Sequence, residues 1–278
     1  MNGKQVRMAR ILSDQGRALI VPVDQALTSG PIPGLDRIGS VLDSLSDGGP
    51  DAVILHRGVV TSGTWSPRAT PRFLLHLSGN TELDSAPHVK TLVASVQDAV
   101  RLGADGVSVH VSLGTGHDRE ALNDLGSVSS SCQEYGMPLL AMMYAYGEGR
   151  ENDPGTLRHL ARIGAELGAD LIKIPAPKDV AALSTVLDGC LVPVLFAGGE
   201  AGSTPLRTLE MIEHAVSAGA AGACVGRNVF QAADPFRCAQ ALRDVIHGGT
   251  SARAAYERWV VEPETVFPID PLGADAPR

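Results

Sequence analysis

The sequence lacks long apolar runs, cysteines at the spacing of a redox or zinc motif, and a net positive charge. No stretch of about 20 consecutive apolar residues occurs in it, and its N-terminus lacks the apolar core of a signal peptide, so we expect neither membrane insertion nor export. A net charge of −8 argues against nucleic-acid binding, which depends on Lys and Arg. We therefore expect a cytoplasmic protein with small-molecule partners. The cysteines show no CxxC or zinc-site spacing: Cys132, Cys190, Cys224 and Cys238.

Lysine is also scarce. Of the 23 Lys and Arg residues only four are lysines, Lys4, Lys90, Lys173 and Lys178, so the position of each one is informative. Hydrophobic residues make up 44% of the chain, which is enough for a large core. A length of 278 residues suits one α/β barrel. We predict a single domain over residues 1–260 and a proline-rich tail over 261–278.

Eight short apolar runs recur along the chain, and each is followed by a longer segment with helical spacing. Most runs are apolar at consecutive positions, as in strands buried between a barrel interior and a shell of helices. The pattern predicts a parallel (β/α)8 TIM barrel. The alternative is an open doubly wound sheet, but its glycine-rich dinucleotide loop is absent after the first run. The predicted strands cover residues 17–24, 51–57, 72–79, 106–114, 138–147, 170–177, 192–199 and 221–230; helices are predicted at 156–168, 234–249 and 252–260.

Lys173 stands alone among apolar residues in the sixth predicted strand, DLIKIPAP. The structural alternative is a lysine that extends to water at the edge of the sheet, but lysine is seldom buried unless it is paired or functional. Active sites of such barrels lie at the carboxyl ends of the strands. Burial is expected to lower the pKa of the amine and so to leave part of it free to attack a ketone. We predict Schiff-base chemistry at Lys173.

Two other strand ends carry groups that can move protons. Asp24 ends the first predicted strand in VPVDQ, and Tyr144 lies near the end of the fifth in AMMYAYG. The structural alternatives are a helix cap for Asp24 and a core aromatic for Tyr144. Histidines also occur in strands two, three and four, but no carboxylate spacing accompanies them, and core histidines with satisfied ring nitrogens are commoner: His56, His76 and His110. We predict no metal and no cofactor.

Glycine turns follow the last two predicted strands, in FAGGE and CVGRN. In many barrels the loops after strands seven and eight bind a phosphate through backbone N–H groups. Gly198, Gly199 and Gly226 would allow the backbone to approach closely, and Arg227 would add positive charge. The sequence therefore predicts a phosphorylated ligand.

The sequence resembles the archaeal-type class I aldolase family, which includes fructose-1,6-bisphosphate aldolases and 2-amino-3,7-dideoxy-D-threo-hept-6-ulosonate synthase. The resemblance runs from about Gly3 to Ile246. It is carried by the segments GKQVRMARI, VPVDQALTSGPIPGL, DAVILHRGVV, LLHLSG, GADGVSVHV, YGMPLLAMMYAYG, GAELGADLIKI, AGG and AGACVGRNVFQ. It implies that Lys173 forms the imine, that Tyr144 donates a proton and that Asp24 shuttles protons. It further implies a homo-oligomer, such as a decameric ring, and these substrate or phosphate contacts: Gly198, Gly199, Gly226, Arg227, His56 and Gln25.

The sequence departs from the family pattern at two positions. Gln25 replaces a histidine that usually follows the first-strand aspartate, and Ala145 replaces a common proline after Tyr144. An amide cannot exchange a proton as a histidine can. This difference therefore bears on the identity of the acceptor aldehyde more than on imine formation at Lys173.

The Arg-, Ala- and Gly-rich composition is typical of a high-GC bacterium. A similar bacterial branch of the family joins dihydroxyacetone phosphate to aspartate 4-semialdehyde, and we expect that condensation here. The rivals are fructose-bisphosphate aldolase, the heptulosonate synthase and, in another class, a phosphate-binding barrel without catalysis.

Overall fold

The computed structural model describes residues 2–46, 48–64, 72–198 and 204–261, and its central feature is a closed barrel of eight parallel strands. The strands in chain order are β1 (Ala18–Pro22), β2 (Ala52–Leu55), β3 (Arg72–His76), β4 (Ser78–Gly79), β5 (Thr91–Leu92), β6 (Gly106–Leu113), β7 (Leu139–Ala145), β8 (Leu171–Ile174), β9 (Val194–Ala197) and β10 (Gly222–Cys224). The helices are α1 (Gly3–Ile11), α2 (Ala26–Ser29), α3 (Ile38–Ser44), α4 (Arg57–Thr61), α5 (Val96–Leu102), α6 (Asp118–Tyr135), α7 (Pro154–Glu166), α8 (Leu183–Leu187), α9 (Pro205–Ser217), α10 (Arg227–Phe230), α11 (Pro235–Ile246) and α12 (Ala252–Trp259).

The barrel closes in the order β1-β10-β9-β8-β7-β6-β3-β2, while β4 and β5 form a separate antiparallel pair. Each barrel strand lies within one of the eight predicted strand intervals, so the TIM-barrel prediction is confirmed. The closing contact pairs β1 with β10, where Ile20 is in register with Cys224. Neighbouring barrel strands are parallel throughout, which brings their carboxyl ends to one rim.

Two apolar cores follow from the alternation of side chains along the strands. The larger one lies between the strands and the helices. The smaller one fills the amino-terminal half of the barrel with residues that are fully buried: Ile20, Ile54, Leu74, Leu140, Leu171 and Leu195.

Helix α1 closes the amino-terminal end of the barrel and was not predicted from the sequence. It is stabilised at its start by a reciprocal capping box between Asn2 and Gln5. Ile11, at its end, is fully buried in the smaller core, against which Met8 and Leu12 also pack. The interior is therefore sealed from water at this end.

Every barrel strand is shorter than its predicted interval, and in two cases more than one of the extra residues forms other secondary structure. The third was predicted to run to Gly79, but the barrel strand ends at His76, and Ser78 and Gly79 pair with Leu92 and Thr91 instead. The hydroxyl of Ser78 accepts the backbone N–H of His110, which takes the place of a ladder bond.

The eighth predicted strand is wrong beyond Cys224. The chain turns at Gly226, and residues 227–230 form helix α10, because the N–H groups of Val229 and Phe230 donate to the Gly226 carbonyl. By contrast, the predicted helices over 156–168, 234–249 and 252–260 are confirmed with small shifts of their ends as α7, α11 and α12. Apart from Val261, the predicted tail lies outside the described residues. No helix in the described part of the chain is long and apolar enough to cross a bilayer.

The first testable consequence concerns the seal formed by α1. Replacing Ile11 with Ala leaves a cavity in the smaller core and should lower the free energy of unfolding by about 2 to 4 kcal/mol. Val6→Ala on the same helix is the matched control, because Val6 is 40% exposed, and it should change stability by less than about 0.5 kcal/mol. Urea unfolding measures both. Equal stabilities of the two variants would show that α1 does not seal the barrel.

Candidate active site

Lys173 lies in the middle of β8, in register with Met142 of β7 and Leu195 of β9. It is 8% exposed. Its neighbours in sequence, Ile172 and Ile174, belong to the core outside the barrel, so Lys173 faces inward above the apolar layer. The structure therefore has Lys173 inside the barrel, as predicted.

The amine of Lys173 faces Cys224, Tyr144 and Asp24. Burial lowers the pKa of Lys173, but the influence of Cys224, Tyr144 and Asp24, with a hydrogen bond to Tyr144, outweighs burial and raises it above its ordinary value. The expectation of a lowered pKa was therefore wrong. That expectation took account only of desolvation and omitted Cys224, Tyr144 and Asp24, which the closed barrel brings to the amine.

The charge that holds Lys173 protonated is the Asp24 carboxylate. Burial raises the pKa of the Cys224 thiol to about 11, so this neighbour is uncharged at neutral pH. Burial also tends to raise the pKa of Asp24, but His76, Lys173 and His56 together lower it below its ordinary value. An ammonium and a carboxylate consequently coexist inside the barrel at rest.

Two histidines on adjoining strands lie beside Asp24: His76 faces its carboxylate, and His56 bonds its backbone. Nε2 of His76 lies 3.5 Å from Oδ2 of Asp24, and Nδ1 of His76 is 2.8 Å from Oγ of Ser108. The rings of His56 and His76 meet edge to face at 5.3 Å. Burial is the main cause that lowers the pKa of His76 from 6.5 to about 4, and it also lowers that of His56. Both rings are therefore neutral at pH 7, and they orient Asp24 without competing with Lys173.

Tyr144 is positioned by a third histidine. Its ring stacks on that of His110 at 4.6 Å with an interplanar angle of 13°. Burial is the main cause that lowers the pKa of His110 well below its usual value, so this ring is also neutral. Nε2 of His110 is buried without a hydrogen-bond partner among the described residues.

The glycine turns lie on neighbouring strands, as predicted. A Cβ atom on Gly198 would lie 2.5 Å from Cγ1 of Val225, and one on Gly226 would lie 2.7 Å from the Pro22 carbonyl oxygen, so both positions require glycine. Arg227 is exposed at the first residue of α10. Gly199 lies outside the described residues.

Gln25 follows Asp24 directly and precedes α2. It is half-buried, and its side chain makes no capping bond to that helix. His56 occupies the equivalent position before α4 and turns toward Asp24.

Sequence reasoning missed Cys224 and Ser108 as members of the site. Both were visible by alternation, since Cys224 lies two residues before the turn at Gly226 and Ser108 lies two residues before His110 on β6. No group of three or more potential metal ligands occurs among the residues that the structure describes, and all four cysteines are unpaired.

Comparison with known proteins places this geometry among aldolases. A sequence model of the DeoC/LacD family aldolases matches residues 18–232. The chain is 41% identical to 2-amino-3,7-dideoxy-D-threo-hept-6-ulosonate synthase 1 of Archaeoglobus fulgidus, over 89% of this chain and 92% of that protein. It is 37% identical to 2-amino-4,5-dihydroxy-6-oxo-7-(phosphonooxy)heptanoate synthase of Streptomyces griseus, over 87% of this chain and 89% of that protein.

Among solved structures, the fold superposes on an archaeal fructose-1,6-bisphosphate aldolase whose catalytic lysine is bound covalently to the carbinolamine intermediate. The TM-score is 0.79, at 29% sequence identity, and the match covers 88% of this chain and 99% of that one.

A pH dependence of stability follows from the neutral histidines. Because the pKa of His76 is about 4 in the folded chain and 6.5 unfolded, only the unfolded chain gains this proton between those values. The stabilisation by neutral His76 should therefore be fully present above pH 6.5 and should be lost as the pH falls. Between pH 7 and 5 this loss should lower the free energy of unfolding by about 2 kcal/mol. His56, His110 and Asp24 act in the same direction.

Urea unfolding of the wild type and His76→Asn at both pH values isolates this contribution, because the direct effect of the substitution cancels in the difference. The variant should lose about 2 kcal/mol less than the wild type. His159→Asn is the control, since His159 is exposed on α7, and it should follow the wild type. Parallel pH profiles for His76→Asn and the wild type would contradict a neutral buried His76.

Proposed function

The chain belongs to the DeoC/LacD aldolase family, and from this membership we propose that it forms a carbon–carbon bond through an imine on Lys173. The observation that carries the proposal is the inward amine of Lys173 beside the Tyr144 hydroxyl and the Asp24 carboxylate. A lysine with these neighbours can form, protonate and dehydrate a carbinolamine without a cofactor.

In the first half of the proposed reaction, Lys173 gives one proton to the Asp24 carboxylate and its nitrogen adds to the ketone of the donor. The nitrogen passes a second proton to the former carbonyl oxygen, which becomes a hydroxyl. Tyr144 protonates this hydroxyl, water leaves, and Tyr144 takes its proton back from Asp24. The resulting iminium ion carries the same charge as the initial ammonium. Asp24, which its lowered pKa keeps ionised, therefore has a cationic neighbour before and after the step.

In the second half, the iminium ion draws electrons from the adjacent carbon, which loses a proton to give an enamine. The enamine attacks the aldehyde of the acceptor, and the new oxyanion takes a proton to become a hydroxyl. Water then hydrolyses the imine, releasing the product and the amine of Lys173. In this proposal Tyr144 and Asp24 exchange these protons.

For the donor, we propose dihydroxyacetone phosphate or a related ketose phosphate. Gly198 and Gly226 lie at adjacent strand ends where an added Cβ would collide with the backbone or with neighbouring side chains, so these tight turns admit only glycine. In many barrels the turns after these two strands bind a phosphate through backbone N–H groups. Gly199 and Arg227 would complete this phosphate site, and His56 and Gln25 would line the donor side near Asp24.

For the acceptor, we propose aspartate 4-semialdehyde. The two synthases above share the 2-amino and carboxylate end of their products and differ in the remainder, where only the Streptomyces product carries a phosphonooxy group. An amino acid aldehyde accounts for the shared end. Fructose-1,6-bisphosphate aldolase activity is the second candidate, because an aldolase of that activity shares the fold.

Borohydride trapping tests the imine. Dihydroxyacetone phosphate with sodium borohydride should add a fixed mass to the peptide that contains Lys173, and Lys173→Met should abolish the adduct and lower turnover at least about 1,000-fold. Lys178→Met is the matched control, since Lys178 is exposed in the loop after β8, and it should trap normally. Binding of the donor without any adduct would instead identify a non-catalytic barrel.

A further inference from the structure

Asn228 is a half-buried polar residue to which the proposed reaction assigns no role. It is the second residue of α10 and directly follows Arg227. Nδ2 of its side-chain amide donates to Oγ1 of Thr208 at 3.1 Å. Thr208 lies near the start of α9 and is only 4% exposed. The amide therefore connects α10, which follows β10, to α9, which follows β9.

The hydroxyl of Thr208 determines which way the amide of Asn228 points. Oγ1 of Thr208 donates its single proton to the Thr204 carbonyl at 3.3 Å, so it acts as an acceptor toward Asn228. The amide nitrogen of Asn228 must then face Thr208. Its amide oxygen consequently points away from α9.

That oxygen lies against the turn that follows β9. A Cβ atom built on Gly198 would be 2.6 Å from Oδ1 of Asn228 and 2.5 Å from Cγ1 of Val225. Gly198 directly follows the last residue of β9, and Gly226 lies two residues before Asn228. Asn228 therefore spans the two adjacent strand ends at which the donor phosphate is proposed to bind.

The main chain of α10 is held from two other sides. The thiol of Cys238, on α11, donates to the Asn228 carbonyl at 3.3 Å. The N–H groups of Val229 and Phe230 donate to the Gly226 carbonyl. The amide of Asn228 thus projects from a fixed segment toward Gly198.

Glycine turns gain affinity for a phosphate when their position is fixed before binding. Glycine has more backbone freedom than any other residue, and ordering it on binding costs free energy. A phosphate held by two turns needs both in place at once. A contact that fixes one turn relative to the other therefore strengthens binding without touching the phosphate.

We propose that Asn228 is a positioning residue for the donor phosphate, and that it holds the turn at Gly198 in place against α9 and α10. The inference rests on the proposed function, and it assigns the preference for a phosphorylated ketone to the link between Asn228 and Thr208. Loss of this link should weaken the binding of the phosphate and leave imine formation at Lys173 intact.

The test compares two donors in the borohydride assay: dihydroxyacetone phosphate and dihydroxyacetone, which has the same ketone without the phosphate. The quantity measured is the donor concentration that gives half-maximal trapping at Lys173. Asn228→Ala should raise this concentration about tenfold for dihydroxyacetone phosphate and less than about twofold for dihydroxyacetone. Asn123→Ala, which changes an exposed asparagine on α6, is the matched control and should equal the wild type with both donors.

Two variants at Thr208 distinguish a lost hydrogen bond from a damaged fold. Thr208→Ser keeps the hydroxyl that accepts the Asn228 amide and should trap both donors as the wild type does. Thr208→Val keeps the shape of the side chain but lacks the hydroxyl, so it should weaken trapping of dihydroxyacetone phosphate as Asn228→Ala does. If Asn228→Ala does not fold, this pair decides alone.

The outcomes separate this inference from the proposed function. Absence of trapping with either donor in the wild type overturns the proposed function itself. Equal half-maximal concentrations of the two donors in the wild type overturn the phosphate site, and this inference with it. Where the wild type prefers the phosphorylated donor, equal losses for both donors in Asn228→Ala and Thr208→Val, or no loss, overturn the positioning role of Asn228 alone.

Discussion

The rest of the structure depends on one constraint, the removal of a charged amine from water inside a closed barrel. An ammonium group transferred from water loses hydration that only a nearby opposite charge and hydrogen bonds restore. The Asp24 carboxylate meets this requirement for Lys173, and the attraction lowers the pKa of Asp24 as it raises that of Lys173. The same carboxylate suits the iminium ion, so the arrangement that makes the resting lysine tolerable also stabilises the cation proposed during reaction.

Sealing one end of the barrel makes this electrostatic arrangement effective. Ile11 of α1 and the apolar layer keep water out from below, which strengthens every interaction above it. The histidines near Asp24 must then be neutral, since a second buried cation would compete with Lys173 for the same carboxylate. Burial secures this by holding the pKa of His76 at about 4. His76 contributes orientation, through Ser108 on one side and Asp24 on the other, and not charge.

The elements of the barrel and the identity of its lysine were predictable because both are local properties of the sequence. A buried parallel strand is a continuous apolar run, and a lysine within one is conspicuous. Features set by contacts between distant segments were not predictable in the same way. The pKa of Lys173 depends on Cys224 and Asp24, which approach it only when β8, β10 and β1 close into one barrel. Likewise α1 is recognisable as a seal only when the open end of the barrel is known.

Gln25 directly follows Asp24, at the position where the family resemblance implies a histidine. An amide at this position cannot exchange protons, yet His76 lies 3.5 Å from the Asp24 carboxylate and His56 bonds the Asp24 backbone. The carboxylate therefore keeps its orientation whichever residue follows it. The substitution thus alters the surroundings of the amine more than the ion pair of Asp24 with Lys173.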